Sequence, residues 1–270
     1  MSDISSNHKA QINDKIKILN LASDIVANKY SKYLIPIYGA KDNGRPYHIG
    51  TSILLSFIDR NFLVTADHII KETKYTRIYA GINGKLNDIT SMIYISSNDD
   101  SYDFAFSEIN GTRYADIFTD FINEGDIILD IPNDEKILFI GLGYPNSQNH
   151  GYLPDEYHVR SNLASYSLMR NNNDRIISKL PAGVKHHIPL NYRKFSLDEN
   201  GKKTKTIKPK GMSGGAVFDL GDISDLSFDK NSPKLTGMII ELKEFKGDNA
   251  IVAVRIGQIL YTIKRYYEQI

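Results

Sequence analysis

Short apolar runs separated by turn-rich breaks recur along this chain from Tyr33 onward, a pattern typical of an all-β fold. The segments KDNGRP (residues 41–46) and GING (residues 81–84) predict hairpin turns. A chain of 270 residues is long enough to bury one large core or two modest ones. We therefore predict two small antiparallel β-barrels, the first over residues 31–122 and the second over residues 123–257. The second is expected to begin near Asp126-Ile127-Ile128-Leu129 and to contain Lys136–Gly141, residues 250–256 and the strand after residue 215.

Two helices are expected outside the barrels. Apolar residues recur at helical spacing from about Lys9 to Tyr30, which predicts an amphipathic N-terminal arm over residues 1–30. This arm either packs on the body of the protein or serves as a docking or regulatory element. A second apolar face, formed by Ile256, Ile259, Leu260 and Ile263, predicts a helix that closes the chain over residues 258–270.

The run Gly211-Met212-Ser213-Gly214-Gly215 places one hydroxyl among residues whose backbone N–H groups can approach it closely. A serine is a weak nucleophile unless a histidine base and an orienting carboxylate lie within reach. His68 ends the apolar run Leu63–His68, and Asp103 begins the apolar run that continues to Phe106. Asp99 and Asp100 lie near Asp103 and are rival carboxylates, expected in a solvated loop. The candidate order along the chain is His68, Asp103, Ser213.

This order excludes two other folds. The serine run also fits G-x-S-x-G, the nucleophile elbow of α/β-hydrolases, in which the histidine follows the serine. All seven histidines of this chain precede Ser213. The subtilisin order would need Asp42 or Asp59 with His68 and a helix after the serine, whereas Gly214, Gly215 and the following Ala-Val-Phe predict a strand.

Five segments taken together resemble the trypsin-like (chymotrypsin-fold) serine peptidases. They are Gly50-Thr51-Ser52 before a strand that leads to Thr65-Ala66-Asp67-His68; Asp103-Phe104-Ala105; Gly141-Leu142-Gly143-Tyr144-Pro145; the serine run; and Leu235–Ile240 after it. They occur in the order of the family and cover roughly Tyr33 to the C-terminus. The resemblance implies two six-stranded antiparallel β-barrels with the active site between them.

The resemblance also implies roles for individual residues. Ser213 would attack an acyl carbon, His68 would be the general base and Asp103 would orient its imidazole. The N–H groups of Gly211 and Ser213 would form the oxyanion hole. In zymogen-activated relatives an aspartate precedes the serine and pairs with a newly cut N-terminus; here Met212 cannot form that ion pair. We therefore expect control by narrow specificity or by a partner protein.

The resemblance also implies substrate-binding residues, if the strand after the serine is aligned with that of the family. Ile240, Glu241 and Leu242 would pair with the substrate backbone, while Ile207, Lys208 and Pro209 would approach the pocket for the side chain before the cut. No acidic residue occupies the pocket floor in this register. That favours apolar side chains or, through Lys208 or Lys210, acidic ones.

Composition narrows the remaining possibilities. The chain has 33 basic and 32 acidic residues, so its bulk charge predicts no attraction to nucleic acid. It has no cysteine, which excludes disulfides and fits a reducing compartment. The basic stretch 201–210 is interpreted as a solvated loop or as a contact for phosphate or acidic peptide. His186-His187 without further ligands predicts structural or surface histidines rather than a metal site.

We expect no cofactor, no membrane span and no secretion signal, and we place the protein in the cytoplasm. The Ile-, Asn- and Lys-rich composition suggests an AT-rich bacterial genome. The predicted function is a serine endopeptidase that cleaves protein or peptide substrates. The alternative is a catalytically silent or partner-gated binding module on the same fold.

Overall fold

The computed structural model describes residues 2–97, 99, 101–129, 137–149, 151–153, 158–197, 202–222, 233–244 and 248–269. The helices in these residues are α1 (Ser2–Tyr30), α2 (Asp67–Lys71), α3 (Asp174–Ile177), α4 (Gly183–His186) and α5 (Ile256–Glu268). The strands of the first half are β1 (Leu34–Ala40), β2 (Pro46–Phe57), β3 (Arg60–Thr65), β4 (Ile78–Ile82), β5 (Lys85–Asp88), β6 (Ile95–Ser96) and β7 (Ala105–Glu108). Those of the second half are β8 (Ile137–Gly143), β9 (Gly151–Leu153), β10 (His158–Arg160), β11 (Ala164–Met169), β12 (His187–Tyr192), β13 (Phe195–Leu197), β14 (Lys203–Lys205), β15 (Ala216–Asp222), β16 (Lys234–Glu244) and β17 (Asn249–Arg255).

The first sheet is antiparallel and has the strand order β6-β7-β3-β2-β1-β4-β5-β10-β9. Both predicted hairpin turns are confirmed, since residues 41–45 join β1 to β2 and Asn83-Gly84 joins β4 to β5. Asn83 and Gly84 both have positive φ, at 51° and 77°, which is the conformation that Asn-Gly turns supply. The prediction of an antiparallel β region after Tyr33 is therefore confirmed.

The second sheet is also antiparallel, with the order β11-β8-β15-β16-β17-β12. Its two outer strands approach each other at a bridge between Arg170 and Leu190, and the N–H of Asn171 donates to the carbonyl of Pro189 at 2.8 Å. A separate ribbon of two strands, β13 and β14, lies between β12 and the serine run.

The sheets differ from two barrels of six strands each. Nine described strands share the first sheet, because β9 and β10 return from the second half of the chain and add to β5 through the pair His158 and Lys85. The segment Asp126–Leu129 is not a strand: residues 124–126 form a 3-10 turn, Ile127 makes a single bridge to Leu235, and Leu129 is 56% exposed. Lys136, the first residue of the predicted Lys136–Gly141 strand, lies outside the described residues. The domain boundaries at residues 122 and 257 stay predictions.

Three buried clusters fill the structure. One lies in the first sheet around Ile37, Leu54 and Leu63, and one in the second around Phe139, Val217 and Ile251. The largest joins both sheets to α1 and α5. The two sheets are thus held against each other by a shared apolar core rather than by a flexible linker.

The predicted terminal helices are both present. In α1 the second half is part of the core, with Ala22, Val26 and Tyr30 fully buried, which favours a packed helix over a free arm for this half. Helix α5 buries Ile256, Ile259, Leu260 and Ile263, the four residues expected on one face. Within the described residues, no helix combines the length and apolarity that a bilayer crossing requires.

Candidate active site

His68 and Asp103 are brought together by the pairing of two strands. Strand β3 ends at Thr65, which lies opposite Ala105 at the start of β7, so the residues just beyond these ends are neighbours. The Nδ1 of His68 lies 2.7 Å from Oδ2 of Asp103, and the backbone N–H of His68 donates to Oδ1 at 3.0 Å. Asp103 has φ of 47°, a left-handed conformation that aspartate tolerates better than most residues. The carboxylate therefore fixes both the ring and the backbone of His68.

Burial and three nearby carboxylates act in opposite directions on the pKa of His68. Partial burial opposes protonation of the ring, but the hydrogen bond and charge of Asp103, together with the charges of Asp67 and Glu72, outweigh it and raise the pKa of His68 above its usual value. The side chain is half exposed and lines a cleft. Since Nδ1 is taken by Asp103, Nε2 is the nitrogen available to a second partner.

The serine loop needs its glycines for space as well as for backbone conformation. Gly211 and Gly214 have φ of 94° and 84°. A Cβ on Gly211 would overlap the side chain of Asn146, and a Cβ on Gly214 would overlap the carbonyl oxygen of Thr51. The N–H of Thr51 in turn donates to the carbonyl of Ser213 at 2.8 Å. The serine loop thus packs closely against Thr51 on β2 of the first sheet and against Asn146, which follows β8 of the second.

Two backbone N–H groups of this loop have no hydrogen-bond acceptor among the described residues. The carbonyl of Lys210 accepts a hydrogen bond from the N–H of Asn146 at 2.7 Å, and the carbonyl of Met212 accepts one from Gly215 at 2.8 Å. In a trans peptide the N–H points opposite to the carbonyl, so the N–H groups of Gly211 and Ser213 are directed away from these contacts. Neither donates a hydrogen bond to another described residue. Donors without a described acceptor are what an oxyanion site requires.

Ser213, His68 and Asp103 line the same cleft, which has a volume of about 820 Å³. The hydroxyl of Ser213 donates to the backbone carbonyl of Ile240 at 3.1 Å, and no hydrogen bond joins it to His68 among the described residues. The expected serine–histidine hydrogen bond is therefore not formed in this state. Strand β15 and the loop before it pair with β16 only as far as residue 239, so they leave the carbonyl of Ile240 open. This carbonyl therefore competes with His68 for the hydroxyl of Ser213.

Most of the residues expected to bind substrate line the cleft: Lys208, Pro209, Ile240, Glu241 and Leu242. Ile207 does not. Its backbone carbonyl accepts hydrogen bonds from the hydroxyls of Tyr166 on β11 and Tyr192 on β12, at 2.9 and 3.2 Å, which fix the backbone at that point.

The sequence pattern does not indicate several other residues that line the cleft. The wall also includes Ile49, Ser101, Asn146, Pro181, Lys243, Glu244 and Ile251. Asn146 follows Gly141–Pro145 directly, and its proximity to a glycine-rich segment could have indicated a role beside the serine loop. Its Oδ1 lies 2.8 Å from Nδ1 of His48, a buried histidine on β2.

Of the two rival carboxylates, only Asp99 is described, and it makes no hydrogen bond to His68. Asp99 accepts a hydrogen bond from the N–H of Ser101 at 2.8 Å, and Asp100 lies outside the described residues. His187 is fully buried, while His186 lies 3.0 Å from the side-chain oxygen of Gln258. In the part of the chain that is described, no three His, Asp or Glu side chains are grouped in a way that would hold a metal ion.

Residues 240–244 form an open strand edge along the cleft. On one side β16 pairs with β17, from Glu241 opposite Val252 to Glu244 opposite Asn249. On the other side no described strand pairs with these residues, and all five line the cleft. Such an edge offers its backbone donors and acceptors to an extended peptide.

Comparison with known proteins adds a structural likeness. No protein-family model matches the chain, and no curated protein matches it. Among solved structures, the chain is similar to the crystal structure of the thermostable serine protease AL20 from an extremophilic microorganism. The two have a TM-score of 0.46 and 13% sequence identity, over 83% of this chain and 90% of that chain.

Proposed function

We propose that this chain is a serine endopeptidase in which Ser213 is the nucleophile, His68 the general base and Asp103 the residue that orients it. The proposal is supported chiefly by the His68–Asp103 pair, at 2.7 Å, in a cleft that it shares with the serine loop. A carboxylate on Nδ1 selects the tautomer in which Nε2 can accept a proton. The free N–H groups of Gly211 and Ser213 supply the second requirement, stabilisation of an oxyanion.

The reaction begins when the Ser213 hydroxyl leaves the carbonyl of Ile240 and turns toward Nε2 of His68. Its oxygen then attacks the substrate carbonyl carbon while its proton passes to His68, and the negative oxygen is held by the two N–H groups. His68 gives the proton to the departing amine, which leaves an acyl-enzyme. A water molecule, deprotonated by His68, releases the acid and restores the serine.

The cleft is better suited to a peptide than to a small ester. An extended chain can add to the open edge at Glu241 and Leu242 by backbone hydrogen bonds. The wall of the cleft near Ser213 is apolar, with Pro209, Ile239 and Ile251. The charge of Glu241 is offset by Lys243 at 2.9 Å. This lining favours an apolar side chain before the scissile bond.

Reaction with a fluorophosphonate tests the proposed function. The probe forms a covalent adduct only with a serine that a base has activated. We expect an adduct on Ser213 that peptide mass spectrometry locates there and not on Ser101, the other serine of the cleft. Ser213→Ala and His68→Ala should abolish the adduct, and Ser178→Ala, which changes an exposed serine that follows α3 and does not line the cleft, should keep it. An adduct that persists in Ser213→Ala contradicts the proposal.

A second candidate, a binding module whose serine is silent or gated by a partner, is favoured by the Ser213–Ile240 hydrogen bond. The same probe separates these possibilities. Adduct in cell extract but not in the isolated chain identifies a partner-gated enzyme, and no adduct in either identifies the binding module.

Partner control would act most simply through α1. Removal of residues 1–28 would take Ala22 and Val26 out of the core, so a truncation should end earlier. Deleting residues 2–12 leaves the packed half in place. A change in labelling rate on this deletion supports a regulatory arm, and an unchanged rate counts against one.

A further inference from the structure

The second half of the chain carries a concentration of positive charge beside the cleft. The ribbon β13–β14 and the segment that follows it, residues 193–197 and 202–210, form what we call the basic hairpin. Its seven cations are all exposed: Arg193, Lys194, Lys202, Lys203, Lys205, Lys208 and Lys210. Its described part contains no acidic residue; Asp198 and Glu199 are outside the described residues. In a chain of net charge +1, this is a strong local asymmetry.

Most of these charges have no counter-charge among the residues that the structure describes. Apart from Lys202, the cations of the basic hairpin make no ion pair with a described acidic residue. Some exposed lysines elsewhere are paired, as Lys32 is with Asp120 at 2.8 Å. Uncompensated cations close together repel one another, and a ligand of opposite charge relieves that repulsion.

Apolar surface lies among the charges. The ring of Phe195 is 52% exposed, and the ammonium of Lys203 lies 4.6 Å from its centroid. Ile207, 36% exposed, follows on the same segment. The surface therefore offers apolar contacts to a ligand as well as positive charge.

The basic hairpin is continuous with the cleft. Its last two lysines, Lys208 and Lys210, line the cleft together with Ser213 and the open edge at residues 240–244. A ligand that lies on the hairpin and continues into the cleft meets a strand edge suited to a polypeptide backbone. This continuity favours an acidic polypeptide over a nucleic acid.

We propose that the basic hairpin is a docking surface for an acidic segment of a protein substrate, whose neighbouring residues enter the cleft. The inference rests on the proposed function for the fate of the bound protein, but the binding itself needs no catalysis. Attraction of this kind raises the association rate and lowers KM, and it weakens as salt screens the charges.

Binding of labelled homopeptides to the Ser213→Ala chain tests the docking surface without cleavage. The probes are a capped glutamate homopeptide, a glutamine homopeptide of the same length and an oligothymidylate, each followed by fluorescence anisotropy at low and high salt. We expect the glutamate peptide to bind more tightly than the other two and to be weakened by salt.

Two double variants with equal charge change locate the surface. Lys203→Glu with Lys205→Glu should weaken binding of the glutamate peptide about tenfold. Lys15→Glu with Lys17→Glu, on exposed positions of α1, should leave it unchanged. If Lys203→Glu with Lys205→Glu lowers the midpoint of thermal unfolding, Lys203→Gln with Lys205→Gln provides the same comparison. The expected loss of affinity for the glutamate peptide is then smaller.

Three results would overturn the docking surface: equal binding of the glutamate and glutamine peptides, an equal loss in the α1 variant, or an oligothymidylate that binds as tightly as the glutamate peptide. The last would assign the surface to nucleic acid. Labelling of the unmodified chain by fluorophosphonate reports on the proposed function independently, so failure of one is not mistaken for failure of the other.

Discussion

The backbone N–H of Asn146 donates a 2.7 Å hydrogen bond to the carbonyl of Lys210, and this bond orients the peptide that joins Lys210 to Gly211. The carbonyl is held outward, so the N–H of Gly211 is directed to the opposite side. An oxyanion donor fixed before substrate arrives costs no reorganisation during the reaction. Asn146, on the loop after β8, is thus coupled to the serine loop.

Gly211→Ala should slow fluorophosphonate labelling of Ser213 by about 10²- to 10³-fold, the loss expected for one oxyanion donor. The added Cβ overlaps the side chain of Asn146, and alanine disfavours a φ of 94°. The peptide must therefore shift or rotate. Gly125→Ala is the matched control, because a Cβ there meets nothing within 4 Å. Equal labelling rates in the two variants would remove Gly211 from the oxyanion site.

The labelling rate should fall as the pH decreases, with a midpoint above 6.5, the ordinary pKa of histidine. Only neutral His68 accepts the serine proton, and its pKa is raised, so protonation stops the reaction at a higher pH than for a free histidine. A rate profile between acidic and neutral pH measures this. A midpoint below 6.5 would show that the carboxylates around His68 do not outweigh its burial.

Asp103→Asn should lower both the rate and this midpoint. Loss of the carboxylate removes the main interaction that raises the pKa of His68, while Asp67 and Glu72 remain. The rate should decrease by about 10⁴-fold, since the asparagine no longer selects the productive tautomer. Asp99→Asn, which alters a carboxylate bonded to Ser101, is the control and should keep the rate. Equal effects of the two substitutions would contradict the role given to Asp103.

The pairing of His68 with Asp103 could be predicted because both residues stand at ends of apolar runs, and ends of paired antiparallel strands are neighbours. The glycine-dependent backbone of the serine loop could be predicted as well, since residues 211–215 place three glycines around one serine. These features depend on short segments whose local pattern is strong. The catalytic roles themselves stay predictions.

Long-range features could not be predicted in the same way. Strands β9 and β10 join the first sheet through the pair of His158 with Lys85, residues more than seventy positions apart, and three-residue strands carry almost no periodic signal. Ile207 was assigned to the pocket by counting back from Ser213. Its position depends on hydrogen bonds from the hydroxyls of Tyr166 and Tyr192 to its carbonyl. No pattern in the sequence around Ile207 indicates these two bonds.

Burial of His187 should make the protein less stable in acid. Burial lowers the pKa of this histidine below its ordinary value of 6.5, and both ring nitrogens lack a hydrogen bond of normal geometry within the described residues. As the pH falls below 6.5, the unfolded chain binds a proton that the folded chain does not, so the free energy of unfolding decreases; above 6.5 this contribution is complete. Urea denaturation at several pH values measures the slope.

His187→Phe should remove that slope and change the free energy of unfolding at neutral pH by no more than about 1 kcal/mol, because the ring makes no hydrogen bond of normal geometry within the described residues. His186→Gln, at the neighbouring and partly exposed position, should keep the slope. An unchanged slope in His187→Phe would assign the acid sensitivity to other groups.

Tyr30→Ala should destabilise the protein by about 3–5 kcal/mol, the range for truncating a buried aromatic side chain. The ring is fully buried and stacks on Phe218 at 4.2 Å between centroids, and its hydroxyl donates to the carbonyl of Pro233 at 2.6 Å. Phe218 lies on β15, the strand that begins just after the serine loop, so this contact ties α1 to the strand that supports Ser213. Leu21→Ala, on the same helix but 51% exposed, should change stability by less than about 0.5 kcal/mol. Chemical denaturation of both variants gives the comparison, and similar small losses would show that α1 is dispensable to the fold and leave it free to act as an arm.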